Sequence, residues 1–123
     1  MNAGRKVLLV EDEVLVAALA VDALEELGYQ TIEVTTARAA REIASGKEPL
    51  AFAVVDIGLP DGRGDKLALE LRQTRPDLPI VIATGYDGAH LEEGLRNQQR
   101  TAVLNKPYDI GQLQAAIQAI VKP

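Results

Sequence analysis

The chain has 123 residues, a length that fits one compact domain and leaves no room for a second. It holds no cysteine, which excludes disulfides, thiolate chemistry and sulfur-ligated metal sites. Its formal charge of −5 and pI of about 4.8, with only three Tyr and one Phe, speak against a nucleic-acid surface or a base-stacking platform.

Hydrophobic residues make up 47% of the chain, enough for a real core. The polar, basic start Met1–Lys6 leads into no apolar signal segment, and no apolar run approaches a membrane span. A soluble, cytoplasmic protein is the expectation.

In chain order, short apolar runs alternate with segments of helical period. Lys6–Val10 is the first predicted strand. The spacing of Val16, Leu19, Ala20, Ala23, Leu24 and Leu27 predicts a helix that Gly28 terminates. Thr31–Val34 alternates polar with apolar and reads as a strand at a sheet edge. A second helix is predicted over Ala37–Ser45, ended by Gly46. Ala51–Val55 is nearly all apolar, as a strand covered on both faces should be. Leu67, Ala68 and Leu71 mark a third helix, which Pro76 forbids from continuing. Pro79–Ala83 is another apolar strand. A fourth helix around Ala89–Asn97 has a thin stripe interrupted by Gly94. Thr101–Leu104 completes the strands. Asp109 then reads as the N-cap of a last helix facing Ile110, Leu113, Ile117 and Ile120 inward. Five strands alternating with five helices imply βα units with right-handed crossovers, one doubly wound α/β domain over residues 1–123.

The chemistry collects where the strands end. Glu11, Asp12 and Glu13 follow the first run, Asp56 the third, Thr84 the fourth, and Asn105-Lys106-Pro107 the fifth. In a parallel sheet these positions share the carboxyl edge, where ligand sites of open α/β sheets lie. Singly, Asp12 reads as a helix cap, Asp56 as a loop acid, Thr84 as a strand residue and Lys106 as a solvated turn. Together they are complementary. Three carboxylates crowded at one edge repel one another and call for a hard divalent cation such as Mg²⁺. Lys106 and Thr84 add a positive charge and a hydroxyl, which suits the site to a phosphoryl group.

The order acidic pair, Asp, Thr and Lys-Pro, in Val7-Leu-Leu-Val-Glu-Asp12, Val55-Asp-Ile-Gly-Leu-Pro60, Thr84 and Lys106-Pro-Tyr108, resembles that of response-regulator receiver domains over essentially the whole chain. The resemblance implies a flavodoxin-like (βα)5 sandwich, with a five-stranded parallel sheet of order 2-1-3-4-5 and helices on both faces. It implies a signalling switch, not an enzyme, in which Asp56 accepts a phosphoryl group from a histidine kinase or a histidine phosphotransfer protein. Asp12 and Asp56 would ligate Mg²⁺, with Glu11 acting directly or through water and the backbone carbonyl of Gly58 as a further ligand. Thr84 and Lys106 would each bind a phosphoryl oxygen, and the Lys106–Pro107 bond would be cis. The chain looks like a stand-alone receiver whose output passes through contact with a downstream protein, or which serves as a phosphate sink.

Pro79-Ile-Val-Ile-Ala-Thr-Gly-Tyr86 is further similar to the signature of the FAT GUY receivers, with Ile at both Phe positions. Many receivers carry an aromatic ring three residues before the Lys that swings inward on activation. Val103 stands there and is too short to report by swinging. Tyr86 is therefore the expected moving part, within a segment Gly85–Arg96 expected to be mobile at rest. Three rivals fit the residues less well. A haloacid-dehalogenase-like phosphohydrolase would need an acid where Gly58 stands. A pseudo-receiver would have lost one of the site residues. A flavodoxin-like nucleotide binder would need a Gly-rich loop after the first strand.

Overall fold

The apolar runs become the strands of one parallel sheet. The computed structural model describes residues 5–85 and 100–121. The chain runs β1 (Lys6–Val10), α1 (Val14–Glu26), β2 (Gln30–Val34), α2 (Ala37–Ser45), β3 (Phe52–Asp56), β4 (Gly58–Leu59), β5 (Gly62–Arg63), α3 (Gly64–Thr74), β6 (Ile80–Thr84), β7 (Thr101–Asn105) and α4 (Ile110–Ile120). The main sheet has the order β2-β1-β3-β6-β7, all neighbours parallel, which is the expected 2-1-3-4-5 arrangement. The helix expected around Ala89–Asn97 lies outside the described residues.

Alternation along the inner strands sorts the core into two layers. Leu8, Val10, Ala53, Val55, Ile80 and Ile82 pack against α2 and α3 on one face. Val7, Leu9, Phe52, Val54 and Val81 pack against α1 and α4 on the other. β3 and β6 are buried at every position, so their sequences need no polar face. β2 lies at one edge and is only half-buried, in keeping with its mixed composition.

Helix α1 departs from expectation at one position. Leu19 is 69% exposed, and the buried stripe is Ala17, Ala20 and Leu24. Leu19 lies about 200° round the helix from Ala17, so both cannot face the sheet. The alanines win because they let the helix approach closely, while Leu24 supplies the bulk. Gly28, at φ 97°, ends the helix in a left-handed turn that a side chain would resist. Tyr29 N and Gly28 N then donate back to Leu24 O and Glu25 O. Tyr29 follows buried, its ring edge-on to Phe52 at 4.9 Å.

The other helices begin and end where their punctuation dictates. Thr36 caps α2, its hydroxyl accepting from Ala39 N at 3.0 Å. Pro76 follows the end of α3 at Arg75. Asp109 and Gln112 form a reciprocal capping box at the start of α4.

The antiparallel ribbon of β4 and β5, inserted between β3 and α3, has no counterpart in the sequence reading. Its return brings Gly64 against the back of the strand end. A Cβ there would lie 2.1 Å from Asp56 O, and Gly64 N donates to Ile57 O at 2.8 Å. Only glycine permits that approach.

Candidate functional site

The strands run slightly further than the sequence suggests, so Asp56, Thr84 and Asn105 are the last residues of β3, β6 and β7. Parallel pairing puts them at one edge with Glu11 and Asp12, which follow β1. Glu11 and Asp56 are each only 4% exposed and Thr84 2%, whereas Asp12 is open to solvent. Carboxylate oxygens of Glu11, Asp12 and Asp56 all come within 4.8 Å of one another. Such an array of hard oxygen donors fits a hard divalent cation.

Lys106 reaches into this cluster from the end of β7. Its Nζ donates to Asp56 Oδ1 at 2.9 Å, Glu13 Oε1 at 3.2 Å and Glu11 Oε1 at 3.3 Å. The backbone supports that reach, because Lys106 N donates to Thr84 O at 2.8 Å. The Lys106–Pro107 bond is cis, as expected. Gly58 borders the Asp56 carboxylate. A methyl group built on it would lie 4.0 Å from Asp56 Oδ2.

The charges explain one another. Burial pushes the Glu11 carboxyl up, and Asp56 adds repulsion, while the Glu13 amide at 3.1 Å and Lys106 act the other way and lose. Burial alone would lower the Lys106 ammonium. The hydrogen bond and charge of Asp56, with Glu11 and Glu13, outweigh it and hold Lys106 above the usual lysine range. Burial, with Glu11 nearby, pushes the Tyr108 phenol up to about 12.

Of the residues singled out in the sequence, Glu11, Asp12, Asp56, Gly58, Thr84 and Lys106 meet at this edge. Val103, on β7, is 45% exposed. Tyr86 and the rest of Gly85–Arg96 beyond Gly85 lie outside the described residues. Three residues were missed. Glu13 was passed over as part of an acidic run, though it contacts Lys106. Asp61 accepts from Ala37 N and Arg38 N at the start of α2. Asp65 is fully buried, held by a two-pronged bond from Arg63. Its signal was an acid on the apolar face of α3, preceded by an arginine two positions earlier.

The comparisons agree with this geometry. The response regulator receiver domain profile matches residues 7–118. The chain is 32% identical over 119 residues to the photosynthetic apparatus regulatory protein RegA of Rhodobacter capsulatus, covering 97% of this chain and 64% of that protein. It thus spans less than two thirds of that relative's length. It is 29% identical over 109 residues to the response regulator receiver protein CpdR of Brucella abortus, covering 89% of this chain and 90% of the other. The CheY-like receiver domain protein of Methanospirillum hungatei superposes with a TM-score of 0.84 at 25% identity, over 94% of this chain and 92% of that one. With a matching profile along most of its length and the acid cluster, threonine and lysine gathered at one sheet edge, the chain belongs to the response regulator receiver domain family.

Proposed function

We propose that the chain is a Mg²⁺-dependent phosphorylation switch whose acceptor is Asp56 and whose donor is a phosphohistidine on a histidine kinase or a histidine phosphotransfer protein. The observation that carries this reading is the convergence of Glu11, Asp12 and Asp56 with Lys106 at the carboxyl edge. In the proposed step an Asp56 carboxylate oxygen attacks the donor phosphorus in line. The bond from phosphorus to the donor's imidazole nitrogen breaks, and an aspartyl phosphate forms. Glu11, Asp12, Asp56 and the Gly58 carbonyl would hold the cation, which supplies charge neutralisation for the phosphoryl oxygens. Lys106, already 2.9 Å from Asp56 Oδ1, would exchange that partner for a phosphoryl oxygen, and Thr84 would donate to another. With Val103 in place of an aromatic ring, Tyr86 is the residue proposed to carry the change of state to partner proteins.

Incubation with Mg²⁺ and acetyl phosphate tests the reading by intact mass. One added phosphoryl group is expected, absent in Asp56→Asn and strongly reduced in Asp12→Asn and Lys106→Ala. Equal labelling of Asp56→Asn would overturn the assignment.

A further inference from the structure

Asp61 lies at the tip of the β4–β5 ribbon and spends both carboxylate oxygens on a helix remote in sequence. Its Oδ1 accepts from Ala37 N at 2.7 Å and its Oδ2 from Arg38 N at 3.1 Å, reaching 24 residues back to the start of α2. These two bonds hold its carboxyl below the usual carboxylate range. The helix is not short of a cap, since Thr36 already serves Ala39 N. A first helical turn leaves several amides unpaired, and here two side chains divide them.

The ribbon needs the anchor more than the helix does. It consists of two residue pairs, Gly58 with Arg63 and Leu59 with Gly62, too few to hold a shape alone. Two of its four paired residues are glycines, which gives the backbone unusual freedom. Its base is fixed on the other side. Gly64 N donates to Ile57 O, and the Arg63 guanidinium forks onto buried Asp65 with both contacts at 3.0 Å. The tip is held by Asp61.

We propose that Asp61 is a positioning residue for the metal site, clamping the ribbon to α2 so that the Gly58 carbonyl stays where the cation requires it. This rests on the Mg²⁺ site proposed above. A backbone carbonyl has no side chain through which it can be aimed, so its placement is set by whatever fixes the loop. Without the clamp, the ordering of the ribbon falls on metal binding and weakens it.

Calorimetric titration of Mg²⁺ into the full chain tests this in wild type, Asp61→Ala, Asp61→Asn and Thr36→Ala. Freeing about one residue's worth of backbone order predicts a Mg²⁺ Kd weakened roughly tenfold in Asp61→Ala. Asp61→Asn, which keeps one acceptor oxygen, should fall between. Thr36→Ala removes the helix's own cap and lowers Tm, yet should leave the Kd within about twofold, a loss the ribbon does not feel. Repeating the titrations at 0.5 M salt separates position from charge, since a through-space effect of the lost carboxylate would shrink at about a 4 Å screening length. An unchanged Kd in Asp61→Ala, an equal loss in Thr36→Ala, or a loss that vanishes in salt would overturn the proposal. If wild type shows no saturable Mg²⁺ binding, the metal-site reading itself fails and this inference with it.

Discussion

Lys106 bridges the carboxylate cluster, and its three partners are not equivalent. Asp56 and Glu11 are buried, while the Glu13 side chain is 61% exposed. An exposed contact of that kind contributes between nothing and about 1 kcal/mol. Glu13→Gln should therefore leave stability nearly unchanged. Lys106→Met strands two buried carboxylates without a cation. Because the cluster opens to solvent at Asp12, a loss of about 1–3 kcal/mol is expected by urea denaturation in EDTA, smaller than for a sealed pair. A Lys106→Met protein as stable as wild type would show that the acids relax apart. Tyr108 offers a spectroscopic check on the same electrostatics. Its raised phenol favours the neutral form in the fold, so the unfolded chain ionises first. Stability should then fall as pH rises from 10 towards about 12, and Tyr108→Phe should remove one late-titrating phenol from the high-pH absorbance, to which Tyr29, raised by its own burial, also contributes. Gly64 is constrained by space alone. Gly64→Ala drives a methyl group into the Asp56 and Ile57 backbone, and a loss of about 3 kcal/mol or more is expected.

The elements show where sequence pattern carries information and where it does not. Strand position and edge placement were legible because β3 and β6 are covered on both faces and β2 is not. Helix ends were legible at Asp109, Gly28 and Gly46; Asp109 caps through its side chain and Gly28 through its left-handed turn, whereas Gly46 is extended backbone that any residue could adopt. The facing of α1 was legible at Ala20, Ala23, Leu24 and Leu27 and failed at Leu19, which is 69% exposed. Hydrophobicity alone ranks leucine above alanine, whereas close helix–sheet packing can prefer the smaller residue. The contrast is measurable. Leu19→Gln should change stability by less than about 0.5 kcal/mol. Leu24→Ala, at a fully buried position, should cost about 2–5 kcal/mol. Equal effects would mean that the helix sits in the orientation its leucines suggest. The β4–β5 ribbon was illegible for another reason. Gly58-Leu-Pro-Asp-Gly-Arg-Gly64 has the composition of a loop, and its order comes from Asp61 and Asp65 contacts made outside it.

At the scale of the whole molecule, the site and the fold draw on the same residues with opposing interests. The sheet brings Glu11 and Asp56 together and removes them from water, which is what a cation site needs and what an empty fold resists. Glu11, Asp12, Asp56, Thr84 and Lys106 were legible at the carboxyl edge because each stands at or just past the end of an apolar run, whereas Gly58 followed only from the family resemblance. Their mutual repulsion and its relief by Lys106 required burial and distances. Glu11 makes the conflict testable. Its raised carboxyl favours the protonated form in the fold, so the folded state binds the extra proton as pH falls. In metal-free protein the Glu11 contribution to stability should decline as pH rises from about 4.5 through the raised folded value, then stay low at neutral pH. Glu11→Gln removes one like charge and should stabilise the metal-free protein at pH 7 by about 1 kcal/mol, the repulsion of two charges near 4 Å in water. Mg²⁺ should have the converse effect. At a free concentration near a hundred times its Kd it stabilises by about 2.7 kcal/mol, roughly 10 °C in Tm for a domain of this size. Glu11→Gln should lose part of that gain, and Asp12→Asn most of it, relative to Na⁺ at matched ionic strength. Thermal melts in EDTA and in Mg²⁺ decide the matter. If Mg²⁺ raises Tm no more than Na⁺ does, or if Glu11→Gln is destabilising in EDTA, the cluster is a structural network and not a cation site held open by its own charge.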